Sequence, residues 1–167
     1  LIEPSDAFVA MDINRPNTQN YRAAISKEPS VLFYGSTPAA GTRKNKMAED
    51  RYQLADTYGF SRKEVYEKNS YKVTGSPICE ILQDSKLEYI DLFFIDVEGS
   101  ELDVIETMDW SIPVYIICIE MHDNDHKKED RELICKTLID KGFTYKKKIA
   151  HDEIWVNESY FRKDKFI

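Results

Sequence analysis

Apolar runs of strand length alternate with segments of helical periodicity along most of the chain. The two clearest strands are continuous apolar runs, PVYIICIE at 113–120 and LFFI at 92–95. Three shorter runs, YRAAIS at 21–26, SVLFYGS at 30–36 and YKVTG at 71–75, are rich in the β-branched and aromatic residues typical of strands. The pattern therefore predicts at least five strands.

The clearest helix follows Gly99, because its apolar residues recur at helical spacing as one stripe, Leu102, Ile105 and Met108. Ser100 and Asp103 resemble a capping box at the start of this helix. Further helices are predicted over 5–13 with Ser5 as N-cap, over 76–86 with Pro77 in the first turn, and over 129–141 with Gly142 as the stop.

This alternation of strands and helices indicates an α/β fold with an open, mostly parallel sheet, since parallel neighbours need helical crossovers. The tail FTYKKKIAHDEIWVN instead predicts an antiparallel hairpin with its turn at 150–152. Residues 1–167 are expected to form a single domain. The polar, weakly periodic segment 37–70 is expected to be an insertion.

Composition narrows the class of protein without naming a function. A net charge of −7 and a pI near 5.1 argue against a nucleic-acid binder, which would present a basic face. The sequence has no apolar run long enough for a membrane span. Its three cysteines lack CxxC spacing, and Cys118 lies within an apolar run. We therefore expect reduced thiols and a cytoplasmic location.

Three apolar runs each end in an acidic residue, Glu3, Asp96 or Glu120. Ligands of open α/β sheets bind outside the carboxyl ends of the strands, so the three acids are expected to line one rim. A carboxylate in the position of Glu3 suits the two hydroxyls of a ribose. Asp96 and Glu98 are candidates to orient a cationic or hydroxyl-bearing reactant, or to act as a base.

Simpler interpretations stand beside these. Acids that precede a helix often only satisfy its N-terminus, and that role is favoured for Glu101 and Asp103. The segment HDNDH at 122–126 has two histidines four residues apart, but a loop with solvated charges is favoured over a metal site. His122, just past Glu120, is instead a candidate substrate contact.

The segment YIDLFFIDVEGSELDVIETM at 89–108 resembles the signature of the FkbM-type methyltransferases. LIEP, NRPN with the following AAIS, VYIICIE and HDEIWVN are also similar to segments of that family, so the resemblance covers nearly the whole chain. It implies the class I methyltransferase sheet of seven strands, which ends in an antiparallel hairpin. It also implies S-adenosylmethionine as cofactor and O-methylation of a hydroxyl on a sugar or other small molecule.

The resemblance assigns roles to individual residues. It puts Glu3, with Pro4 beside it, on the cofactor ribose, and Ala24 and Ile25 near the adenine. It puts Asp96 beside the methionine part of the cofactor and the incoming acceptor, with Glu98 close by. Further along the rim, Glu120 and His122 are expected to contact the substrate. No metal is implied.

The sequence departs from the family in one respect. No Gly-rich strand–loop–helix unit occurs in it, so the first strand of the sheet is expected to be missing. We therefore expect residues 1–167 to bind the cofactor more weakly than micromolar and not to turn over. Two alternatives stay open: a degenerate, non-catalytic binding domain, and a haloacid-dehalogenase-like phosphatase, whose nucleophile loop FIDVEGS resembles.

Overall fold

The computed structural model describes residues 1–34, 41–42, 70–121 and 128–162. Its helices are α1 (Ala7–Asn14), α2 (Ile78–Ser85), α3 (Glu101–Thr107) and α4 (Lys128–Asp140), with a short 3-10 helix at Glu158–Tyr160. Its strands are β1 (Ala24–Ile25), β2 (Ser30–Tyr34), β3 (Gly41–Thr42), β4 (Ser70–Ser76), β5 (Ile90–Ile95), β6 (Val114–Glu120), β7 (Thr144–Ile149) and β8 (Asp152–Val156). Apart from β3 and the first residue of β4, the predicted insertion at 37–70 lies outside the described residues.

The described strands form two four-stranded sheets, in the orders β1-β4-β2-β3 and β5-β6-β8-β7. Only β1–β4 and β5–β6 are parallel pairs, and the other pairs are antiparallel. The prediction of a mostly parallel sheet is therefore wrong for the described residues. Residues 26–29 alone join β1 to β2, and so short a connection cannot make a parallel crossover.

The second sheet holds most of the hydrophobic core. Ile117 and Ile119 of β6 are completely buried, and α4 contributes Leu138, which is also fully buried. Complete burial of one such side chain contributes about 1.5–3 kcal/mol relative to leaving it exposed. The apolar stripe of α3 packs into the same core through Ile105 and Met108, with Leu102 partly buried against it, as its helical spacing predicts.

Two helix starts differ from the sequence prediction. Helix α1 begins at Ala7 with Asp6 as its N-cap, although the Ser5 hydroxyl accepts a hydrogen bond from the Ala7 N–H at 3.1 Å. Ser100 is the N-cap of α3 but makes no side-chain cap, so the predicted capping box is wrong. Glu101 turns back instead, and its Oε1 accepts from the Gly99 N–H at 2.8 Å.

The C-terminal strands β7 and β8 pair antiparallel around a turn at Ala150, whose φ is 53°. Helix α4 ends at Asp140, and Gly142 follows in the left-handed region with φ of 86°, so the predicted stop is confirmed. Among the helices of the described residues, none combines the length and apolar character that a membrane crossing requires.

Candidate functional site

A cavity of about 950 Å³ lies between the N-terminal segment, β1, α2 and β5. It brings together residues that are far apart in the sequence. Six of the residues singled out from the sequence line it: Glu3, Pro4, Ala24, Ile25, Asp96 and Glu98. One cavity therefore contains every described residue that was predicted to contact the cofactor or to act in catalysis.

One wall of the cavity is the N-terminal segment. Ile2 forms a parallel bridge with Tyr21, and two backbone hydrogen bonds fix it, Tyr21 N–H to the Leu1 carbonyl at 2.9 Å and Glu3 N–H to the Tyr21 carbonyl at 3.0 Å. The Tyr21 hydroxyl donates to Asp84 at 3.0 Å. Burial, then this hydrogen bond, raises the pKa of Tyr21, so its hydroxyl stays protonated as a donor.

Strand β5 forms the opposite wall. It pairs with β6 on one side, and no described strand pairs with its other edge. Leu92 and Phe94 are 58% and 55% exposed, although both are large and apolar. With Ile78 and Ile81 of α2, they give the cavity an apolar lining that suits a flat, uncharged ring.

Glu3 lies half-buried where the N-terminal segment meets α1. Its Oε1 accepts a hydrogen bond from the Ser5 N–H at 2.7 Å, which fixes the direction of the carboxylate. One acceptor position of the carboxylate is therefore occupied by the protein. A carboxylate has about four acceptor positions on its two oxygens, so Glu3 keeps the capacity to accept from a ligand hydroxyl.

The acidic turn, residues 96–99, follows β5, and its first three residues line the cavity. Asp96 is exposed, and Glu98 is half-buried. Glu98 has φ of 52° and Gly99 has φ of 104°, so two successive residues adopt left-handed backbone. That conformation costs about 1–2 kcal/mol for a residue other than glycine, and such strain is characteristic of functional turns.

The third acid of the predicted rim lies apart from the cavity. Ile95 of β5 pairs with Ile119 of β6, so Asp96 and Glu120 sit at the same end of neighbouring parallel strands. Glu120 is half-buried but does not line the cavity. His122, the other predicted substrate contact, lies outside the described residues, as does the whole HDNDH segment.

The structure adds residues to this site that the sequence reasoning missed. Glu101, for which the sequence favoured a role at the N-terminus of α3, is only 5% exposed and accepts a hydrogen bond from the Gly99 N–H of the acidic turn. Helical spacing of Ile78, Ile81 and Leu82 was the available signal for the wall made by α2. Within the described part of the chain, no group of three His, Cys, Asp or Glu side chains is placed to hold a metal ion.

Comparison with models of protein families identifies one family for this chain. The model of the FkbM methyltransferase domain matches residues 1–146, which is most of the chain. The chain has no significant match among curated proteins, and none among solved structures.

Proposed function

This chain belongs to the FkbM methyltransferase domain family, and we propose that its cavity binds S-adenosylmethionine for the methylation of a hydroxyl oxygen. The acceptor we propose is a small molecule, such as a sugar. The observation that supports this most is that Glu3, Ala24 and Asp96 line one cavity, because a methyltransferase needs a single site for the ribose, the adenine and the reacting methyl group.

The side chains of the cavity fit the chemistry of this cofactor. Ala24 and Ile25 are buried, at 4% and 5% exposure, and offer an apolar surface for the adenine ring. Glu3 lines the cavity and can accept from a ribose hydroxyl while Oε1 stays bound to the Ser5 N–H. Pro4, which lacks a backbone N–H, continues this edge of the cavity without adding a competing donor.

When bound, S-adenosylmethionine supplies a methyl group activated by a positively charged sulfonium. Carboxylates in the cavity lining favour a cation there, since opposite charges a few ångströms apart attract even in high dielectric. Asp96 and Glu98 both line the cavity, and Asp96 is exposed to an incoming acceptor. The residues would therefore act on the cationic centre and on the acceptor from the same turn.

In this proposal the protein contributes position and proton acceptance. Asp96 would orient the acceptor hydroxyl and take its proton as the oxygen bonds to the methyl carbon and the carbon–sulfur bond breaks, which leaves neutral S-adenosylhomocysteine. The remaining contribution of the protein to the rate is to hold the two reactants in line, because reactants that are already oriented lose little entropy at the transition state. Glu120, at the end of the neighbouring strand, is proposed to contact a more distant part of the acceptor.

Binding of S-adenosylmethionine to residues 1–167, followed by titration calorimetry or NMR, tests the proposal. We expect saturable binding that is weaker than micromolar, is competed by S-adenosylhomocysteine, and is not matched by ATP. Equal binding of ATP, or no binding of S-adenosylmethionine, would contradict it. The phosphatase alternative predicts magnesium-dependent release of phosphate from p-nitrophenyl phosphate, and we expect none.

A further inference from the structure

Glu101 is a buried carboxylate beside the acidic turn, and catalysis as proposed does not use it. Its side chain is on the first residue of α3 and is 5% exposed. Its Oε1 accepts a hydrogen bond from the Gly99 N–H at 2.8 Å, so the Glu101 side chain reaches back past Ser100. A buried carboxylate needs such compensation, because burial of an unpaired charge is strongly unfavourable.

The turn that Glu101 contacts needs a restraint. Glu98 and Gly99 are both left-handed, with φ of 52° and 104°, and Glu98 lacks the freedom of glycine. A hydrogen bond from a backbone N–H to a charged acceptor is among the stronger ones available, and here the acceptor belongs to a buried side chain. The contact therefore selects one backbone conformation for the segment that carries Asp96 and Glu98.

We propose that Glu101 is a positioning residue, whose carboxylate holds the Glu98–Gly99 turn so that Asp96 and Glu98 face the cavity. The proposal rests on the proposed function for the identity of the ligand, S-adenosylmethionine. The role differs from ordinary stabilisation of α3, since it acts on the turn before the helix. It also requires a specific reach, because an Asp at 101 is one methylene too short to meet the Gly99 N–H.

Three substitutions separate positioning from stability. E101Q keeps an oxygen acceptor at the same reach, E101D keeps the charge but shortens the side chain, and E101L fills the space without an acceptor. E106Q is the matched control, since Glu106 lies on the same helix and pairs with Lys27 at the surface. Each variant of the 167-residue chain is compared with wild type by thermal unfolding, hydrogen exchange of the Gly99 amide, and NMR titration with S-adenosylmethionine.

We expect E101L and E101D to accelerate exchange of the Gly99 amide by about tenfold and to weaken cofactor binding by about tenfold, as loss of one charge-assisted hydrogen bond implies. E101Q should stay within about threefold of wild type in both measurements, and E106Q should match wild type. E101D provides the comparison if E101L does not fold.

The outcomes separate this proposal from the proposed function. If wild type binds S-adenosylmethionine and E101D binds it equally well, the role of Glu101 is overturned while the function stands. If wild type shows no binding, the proposed function fails, and exchange of the Gly99 amide still decides whether Glu101 holds the turn. If the Gly99 amide exchanges at the same rate in E101D as in wild type, the proposed role of Glu101 in holding the turn is overturned, whatever the result for cofactor binding.

Discussion

Glu3 and Asp96 line the same cavity, although one precedes α1 and the other follows β5. The two acids reach it from opposite walls, Glu3 through the bridge between Ile2 and Tyr21, and Asp96 from the end of a parallel strand pair. This relationship joins the proposed ribose contact to the proposed reaction centre. Because the two acids come from different segments, substituting each one alone measures its own contribution to cofactor binding.

Replacing Asp96 with Asn should reduce affinity for S-adenosylmethionine by about five- to tenfold, because one attractive charge near the sulfonium is lost. Asp96 is exposed, so its replacement should leave the thermal midpoint nearly unchanged. In an assay of methyl transfer, the loss of rate should be much larger than the loss of affinity. Asp140→Asn is the control, since it removes the same charge from the exposed end of α4. Equal affinity of the two variants would remove Asp96 from the site.

Arg131→Ala should lower the free energy of unfolding by about 1–3 kcal/mol. The loss is smaller than for a fully buried ion pair, because the arginine side chain is 40% exposed and water screens its charge. Its guanidinium lies 2.6 Å from Oε1 of Glu153, a carboxylate that is only 1% exposed. The Trp155 indole N–H donates to the other oxygen at 3.2 Å and would remain. Denaturant unfolding measures the change.

The companion to that prediction is a double-mutant cycle. Arg131→Ala combined with Glu153→Gln should be less destabilised than the sum of the two single variants, because no buried charge is left unpaired. Strict additivity would show that the ion pair does not couple β8 to α4.

Asn157→Ala should lower the free energy of unfolding by about 1–3 kcal/mol, because a buried network loses its centre. The Asn157 amide donates to the Lys141 carbonyl at 3.0 Å and accepts from the Ser159 N–H at 3.2 Å. It thereby joins the end of β8 to the end of α4. Asn14→Ala, at the exposed end of α1, is the control and should change stability by less than about 0.5 kcal/mol. Equal effects would refute the linking role.

Cys118 and Cys135 should be alkylated slowly at mildly alkaline pH in the folded protein. Burial, then the neighbouring Asp152, raises the pKa of Cys118, and burial, then Glu153, raises the pKa of Cys135. A raised pKa leaves less thiolate at any given pH, and the thiolate is the nucleophile. Iodoacetamide labelling followed by mass spectrometry across pH should show both thiols reacting at higher pH than in guanidinium. Identical profiles would contradict the assigned burial.

Local pattern was sufficient for much of the second sheet and its helices. The apolar run of β6 and the stripe of α3 are properties of neighbouring residues, so the sequence predicts both. The antiparallel pairing of β2 with β4, in which Val31 lies opposite Val73, was not predicted. The residues between these two strands carry no strand signal, so the sequence does not indicate that the two strands pair. Strand existence is local information, whereas pairing direction depends on contacts across the chain.

The candidate site shows the same division. An acid at the end of an apolar run is visible in the sequence, and this placed Glu3 and Asp96 at strand ends. Which acids share a cavity depends on topology, and Glu120 does not line it. The hydrogen bond from the Gly99 N–H to Glu101 was missed because Ser100 and Asp103 resemble a capping box. Ser100 makes no side-chain cap in the structure.

The most direct test of the central claim is to map S-adenosylmethionine on the chain by NMR. Residues 1–167, labelled with ¹⁵N, are titrated with the cofactor, and the amide shifts are followed at every step. The proposed site predicts saturable changes that cluster at Glu3, Ala24, Ile25 and the turn 96–99, with Asn157 and the rest of the C-terminal hairpin unaffected. Changes that cluster outside the cavity, or no changes at millimolar cofactor, would contradict the account.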